Sequence, residues 1–266
     1  MEGSIRIGVG GWTFAPWRGP FYPKGLAQHR ELEFASRRLT SIEINGTFYR
    51  SQAPETFAKW HDETPAGFVF ALKAPRYATN RRELASAGES IERFVAGGLV
   101  ELKDKLGPIN WQLAPTKQLD LADMERFLAL LPRTVAGRPI RHAIEVRHPS
   151  FRSAEFVALA REQEVAIVVA GDSDYPLIAD VTAPFVYARI MGTTEDEPAG
   201  YSPDALERWA QRARTWAGGG HPDDLERVAE AAAPGGRDVF LYVISGHKER
   251  NPAAAVALIE RLGRPG

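Results

Sequence analysis

The stretch Thr40-Ser41-Ile42-Glu43-Ile44-Asn45 decides the fold. Side chains alternate across a β-strand, so Ile42 and Ile44 share one face while Ser41, Glu43 and Asn45 share the other. An apolar face packs on helices. A run of Ser, Glu and Asn on the opposite face needs an interior that is polar without being solvent, and the inside of a closed barrel supplies one. The same split recurs along the chain. Phe70 and Leu72 oppose Ala71 and Lys73; Trp111 and Leu113 oppose Asn110 and Gln112; Ile144 and Val146 oppose Ala143, Glu145 and Arg147; Ala188 and Ile190 oppose Tyr187 and Arg189.

Eight short β-rich runs are found: Ile5–Gly11, Thr40–Asn45, Phe68–Lys73, Ile109–Ala114, Arg141–Val146, Val165–Ala170, Phe185–Ile190 and Val239–Ile244. Helical patterns separate most of them, marked by Leu32, Ala35 and Leu39, by Phe57 and Trp60, by Phe94, Leu102 and Leu106, by Phe127, Leu128 and Leu131, by Phe156 and Leu159, and by Leu206, Trp209 and Ala213. A last helical pattern runs from Pro252 to Leu262. Asp120 and Ser202 suit helix N-caps, Pro203 suits a first helical position, and Gly107 suits the residue after a helix end. Between Gly171 and Pro184 there is little room for a crossover helix. The expectation is an α/β protein with a (β/α)8 TIM-type barrel whose sixth helix is short or absent, in a single domain over 1–266. Residues 218–236, bracketed by Gly218-Gly-Gly and Pro234-Gly-Gly, read as a small insertion before the last strand.

Composition narrows the function classes. The chain of 266 residues carries 33 basic and 34 acidic side chains, a formal net charge of -1. That balance gives no electrostatic reason for binding nucleic acid or an anionic membrane, so both are disfavoured as partners. With no cysteine, thiolate metal sites, disulfides and a cysteine nucleophile are excluded, and a cytoplasmic setting is expected. No Gly-x-Gly-x-x-Gly or phosphate-loop pattern follows a strand, and the sequence names no cofactor.

By parity, Glu43, Lys73, Gln112, Glu145, Arg147, Asp172, Arg189 and Tyr242 face inward, mostly near strand C-termini, where active sites of such barrels lie. A buried salt-bridge plug is the alternative reading for each, because interior charges cost several kcal/mol unless paired.

The motifs Gly8-Val-Gly-Gly-Trp12, Trp17-Arg-Gly-Pro-Phe-Tyr-Pro23, Glu43-Ile-Asn-Gly-Thr-Phe-Tyr49, Phe70-Ala-Leu-Lys-Ala-Pro75, Lys105-Leu-Gly-Pro108 and Glu145-Val-Arg-His148, with Asp172, resemble those of the YecE-like family, also called domain of unknown function 72. The resemblance implies a TIM-type barrel and no established reaction. Its pattern falls on Trp12, Glu43, Asn45, Tyr49, Lys73, Gln112, Glu145, Arg147, His148, Asp172 and Arg189. The chain departs from it at Asn80, Met191, Ser245 and Gly246, where the family tends to carry two histidines and an asparagine pair.

These residues define the expected site. Glu43, Glu145, Asp172 and His148 are the candidate catalytic groups, with carboxylates dividing acid and base roles. Trp12, Asn45, Tyr49, Lys73, Gln112, Arg147, Arg189 and Tyr242 are the candidate binding groups, with Arg189 as main anchor for a phosphate or carboxylate. A small anionic substrate of a lyase, isomerase or hydrolase is one function class; a non-catalytic binding or sensing barrel is the second. A metal-dependent nucleic-acid-processing barrel is a third, opposed by the balanced charge. Glu43, Glu145, Asp172 and His148 include metal-ligating types, yet the nearby cations and the lack of a close His-x-His pattern argue against a metal site. His148 also has a plain reading as a loop cap.

Overall fold

The computed structural model describes residues 2–263. Eight parallel strands form the wall: β1 Ile5–Gly10, β2 Ser41–Ile44, β3 Val69–Lys73, β4 Leu106–Gln112, β5 His142–Glu145, β6 in two pieces Ala166–Ile167 and Val169–Gly171, β7 Phe185–Ile190 and β8 Asp238–Val243. Strands β1 to β5 pair in chain order, and β8 pairs with both β1 and β7. The first piece of β6 pairs with β5 and the second with β7. Val168 joins the two pieces, and its own N–H reaches the Ile144 carbonyl. The wall therefore closes at β6, which spends each half on a different neighbour.

Seven helices cross back outside the wall: α1 Glu31–Arg38, α2 Pro54–Glu63, α3 Gly88–Ala96, α4 Leu121–Ala129, α5 Ala154–Glu162, α6 Pro203–Ala217 and α7 Asn251–Leu262. No helix follows β6 before β7, as the crowded Gly171–Pro184 segment predicts. The caps act as expected: Asp120 accepts from the Asp123 N–H, Ser202 accepts from the Ala205 N–H, and Pro203 opens α6. Two details differ. Leu106 belongs to β4, not to the preceding helix, and Gly107 is a strand residue; a Cβ there would lie 2.6 Å from the Phe70 carbonyl oxygen. Gly107 thus serves close approach of β3 and β4 rather than a helix end. Among the described residues no helix is long and apolar enough to cross a membrane.

Strand parity sorts the core into two parts. Ile42, Ile44, Phe70, Leu72, Trp111 and Ile144 pack outward against helix residues such as Leu32, Phe57, Phe127, Phe156 and Trp209. Inside the wall, Ala71, Ala143, Ala166 and Val168 make room for Phe185, Tyr187, Phe240 and Tyr242. Small residues opposite large rings fill the interior in layers, so the barrel is packed over its lower part. Each large ring removed from water contributes roughly 1.5–3 kcal/mol. The polar layer sits above this floor, at the strand C-termini.

Candidate active site at the barrel mouth

Strands β2, β5 and β7 bring Glu43, Glu145 and Arg189 together at full burial. Arg189 donates from Nη1 to Glu145 Oε2 at 2.6 Å and from Nη2 to Glu43 Oε1 at 3.1 Å. Tyr187, two residues earlier on the same strand, donates its hydroxyl to Glu43 Oε2 at 2.6 Å. Asn110 Nδ2 donates to Glu145 Oε2 at 3.0 Å, and Arg147 donates from Nε and Nη2 to Glu145 Oε1 at 2.9 and 2.7 Å. Gln112 Oε1 accepts from Arg147 Nη2 at 3.0 Å. Every carboxylate oxygen of the pair is thereby occupied. Burial pushes the Glu145 carboxyl up, but Arg189 first, then Arg147 and Lys73, overcome it and hold the group down at about 2. Burial works against the Arg189 charge as well, yet Glu145 and Glu43 raise its pKa, so it stays a guanidinium.

The flank at β3 is different. Lys73 ends that strand with only 8% of its surface exposed, and among the described residues its Nζ makes no hydrogen bond or ion pair, its contact there being with the Phe48 ring, 4.2 Å from the centroid. Desolvation is the largest cause lowering its pKa, Arg189 adds to it, and Glu43 and Glu145 only partly oppose them, which leaves the amine at about 8. Lys73 is in register with Asn110 on β4, and on the other side Ile44 pairs with Leu72, so Asn45 follows beside Lys73. The Oδ1 atoms of both Asn45 and Asn110 are buried without a hydrogen-bond partner, as is Arg189 Nε. Buried polar atoms are partnered in the great majority of cases, so three of them around one mouth mark a place apart. Gly10 belongs to this construction: a Cβ at that position would meet Asn45 Nδ2 at 2.6 Å.

Deeper in the barrel, Tyr242 shares a hydrogen bond of 2.7 Å with Ser41 Oγ, and its ring lies 5.1 Å from that of Tyr187. It joins the floor rather than the mouth. The structure thus assembles Glu43, Asn45, Lys73, Gln112, Glu145, Arg147 and Arg189, and besides Tyr242 leaves four expected residues outside. Trp12 packs edge-on against Trp60 at 5.1 Å, toward α2. Tyr49 is 66% exposed beside Arg76. His148 Nδ1 accepts from the Ser150 N–H and lies 2.9 Å from the Ser150 hydroxyl, so it caps the following turn. Asp172 has a left-handed φ of 52° at the end of β6, which breaks the strand parity on which its inward placement rested. Its carboxylate accepts from Trp209 Nε1 on α6 at 2.8 Å instead. Among the described residues no three His, Asp or Glu side chains gather as metal ligands. Asn110, Tyr187, Phe48 and Tyr175 are additions; parity already placed Asn110 and Tyr187 on the inner face, while Tyr175, under the Arg147 guanidinium at 4.3 Å, lies in a loop that no periodicity reaches.

A family model described as "Protein of unknown function DUF72" matches residues 6–266. The UPF0759 protein YunF of Bacillus subtilis is 28% identical over 116 residues, which are 42% of this chain and 40% of that protein. The aligned stretch thus spans well under half of that relative. Among solved structures, a DUF72 family protein from Thermotoga maritima superposes with a TM-score of 0.72 at 18% identity, covering 97% of this chain and 99% of that one. One from Enterococcus faecalis gives a TM-score of 0.67 at 16% identity, covering 99% of each chain. At these identities the likeness is one of fold.

Proposed function

We propose, from the premise that this chain belongs to the DUF72 family, that its barrel mouth binds a small anion bearing a phosphate or carboxylate. The Lys73 ammonium and the outer edge of the Arg147 guanidinium are the contact groups, and Glu43, Glu145 and Arg189 form the charged floor beneath them. One observation carries this reading: two interior carboxylates face three interior cations, and Lys73 is the cation left without a counter-ion. An anion at Lys73 and Arg147 neutralises the surplus in a site where water screens little. The anchor is therefore Lys73 rather than Arg189, whose terminal nitrogens already serve two carboxylates.

Acid–base work by Glu43 and Glu145 has less support. A carboxyl held at about 2 is ionised throughout the physiological range, so Glu145 offers no proton to a leaving group. The pair positions Arg189 and sets the field; the reactive group of the mouth is the amine.

Thermal denaturation in increasing phosphate tests the site. A ligand at a hundredfold its Kd adds about 2.7 kcal/mol to the folded state, and for a chain of this size each kcal/mol moves Tm by roughly 2–4 °C. Wild type should show a saturable rise that Lys73→Met lacks, while both share the unsaturable rise that kosmotropic anions give. Identical curves for the two proteins would rule the site out.

A further inference from the structure

We propose that Lys73 is a nucleophile that forms a protonated imine with an aldehyde or ketone carrying a carboxylate or phosphate. The inference rests on the anion site and deepens it by naming the substrate class and the bond made. Its ground is geometric. Lys73 is buried as a residue, lies within the mouth, and among the described residues its Nζ has neither a carboxylate at ion-pair distance nor an acceptor at hydrogen-bond distance. A lysine kept only for neutralisation would pair with Glu43 or Glu145, as both arginines do. The Phe48 ring covers one side of it, and the residues beside it on the neighbouring strands, Asn45 and Asn110, each carry a buried side-chain oxygen without a hydrogen-bond partner. Unpartnered acceptors on both neighbouring strands suit a bound group that brings its own N–H and O–H donors.

The step balances within the site. The neutral amine, present in useful amount because burial and Arg189 weaken the hold on its proton, adds its lone pair to the carbonyl carbon. A C–N bond forms, and the carbonyl π pair passes to oxygen, which takes up a proton as nitrogen sheds one. The resulting carbinolamine has an O–H and an N–H, for which the two Asn oxygens are available acceptors. Protonated a second time, the hydroxyl leaves as water while the nitrogen lone pair closes the C=N bond. In sum, an ammonium and a carbonyl become an iminium and one water, with no oxidant or reductant. The iminium keeps the positive charge that Lys73 had, so the electrostatics that Glu43 and Glu145 set remain matched, and Arg147 stays available for the carboxylate or phosphate of the substrate.

The test is reductive trapping on the folded protein. Glyoxylate, pyruvate and glyceraldehyde 3-phosphate are each supplied with cyanoborohydride at neutral pH, and peptide mapping measures labelling of every lysine. Lys73 should be labelled at least about tenfold faster than any surface lysine, because each unit by which an amine pKa falls gives roughly tenfold more free base near neutrality. Inorganic phosphate should protect it, and urea should erase the preference. Asn45→Ala leaves the Lys73 amine in place, so it should still label at Lys73, but more slowly than wild type. If Lys73 reacts no faster than surface lysines with all three probes while phosphate still raises the wild-type Tm saturably, the imine is overturned and the anion site stands. If labelling shows no preference and phosphate gives no saturable shift, both fall.

Discussion

The two sides of the barrel mouth contrast sharply in how their polar atoms are spent. Toward β5 and β7, four carboxylate oxygens of Glu43 and Glu145 meet Arg189, Arg147, Tyr187 and Asn110, and none is left over. Toward β3, Lys73 Nζ has no counter-ion among the described residues, and Asn45 Oδ1 and Asn110 Oδ1 are buried and unpartnered. Fold stability explains the first arrangement, since charges in a low-dielectric interior persist only when paired. It does not explain the second, which costs free energy and returns none in the free protein. Paired groups that hold the barrel together and the unpartnered groups at which we propose a ligand thus stand side by side.

The largest expected effect breaks the paired side. Arg189→Met leaves two buried carboxylates facing each other and should cost about 3–5 kcal/mol in urea denaturation. A cost under about 1 kcal/mol, the range of exposed ion pairs, would mean that the pairing is ornamental. On the acid limb, Glu145 adds a second reading. Its folded pKa lies below the ordinary carboxylate value of 4.5, so its stabilisation is present above that pH and drains away as pH falls toward about 2. Glu145→Gln should remove that part of the acid dependence.

Next in size is the unpaired side, where the sign reverses. Lys73 is lowered from 10.5 to about 8, so below pH 8 folding buries a charge that the unfolded chain keeps in water. Between those values the unfolded chain holds a proton that the folded one has released, and stability rises with pH. Lys73→Met should therefore stabilise the free protein at pH 7 by roughly 3 kcal/mol, at about 1.4 kcal/mol for each unit of displacement, with the gain vanishing as pH climbs to 10.5. Destabilisation at pH 7 would show that the amine is held by the fold after all. The smallest effect belongs to Asn45→Ala. Its Oδ1 has no hydrogen bond to lose, so the free protein should change by less than about 1 kcal/mol, while trapping at Lys73 should slow.

Much of this was legible in the residues. Alternation in Thr40–Asn45 and its counterparts gave the closed wall and the inner face, because parity is a property of the strand alone. Helix caps at Asp120 and Ser202 were equally local. What sequence does not carry is which inward groups touch. Glu43, Glu145, Arg147 and Arg189 share one parity, yet only the relative heights of β2, β5 and β7 set Arg189 between both carboxylates and leave Lys73 aside. Parity also fails where a strand ends: Asp172 turns at a left-handed φ and bonds to Trp209 on the helix layer. The motif residues Trp12 and His148 lie in loops and Tyr49 ends the short helix Gly46–Tyr49, and the paths of such segments depend on contacts such as Trp12 with Trp60 rather than on spacing.

The pKa of the Lys73 amine, followed by NMR of its ε-carbon in the folded protein with and without phosphate, tests the central claim most directly. A midpoint near 8 in the free protein that moves upward when phosphate saturates is the predicted result, since an anion beside the amine favours its charged form. A midpoint near 10.5 that phosphate does not move would contradict it, and Lys73 would then be an ordinary solvated lysine at the end of a strand.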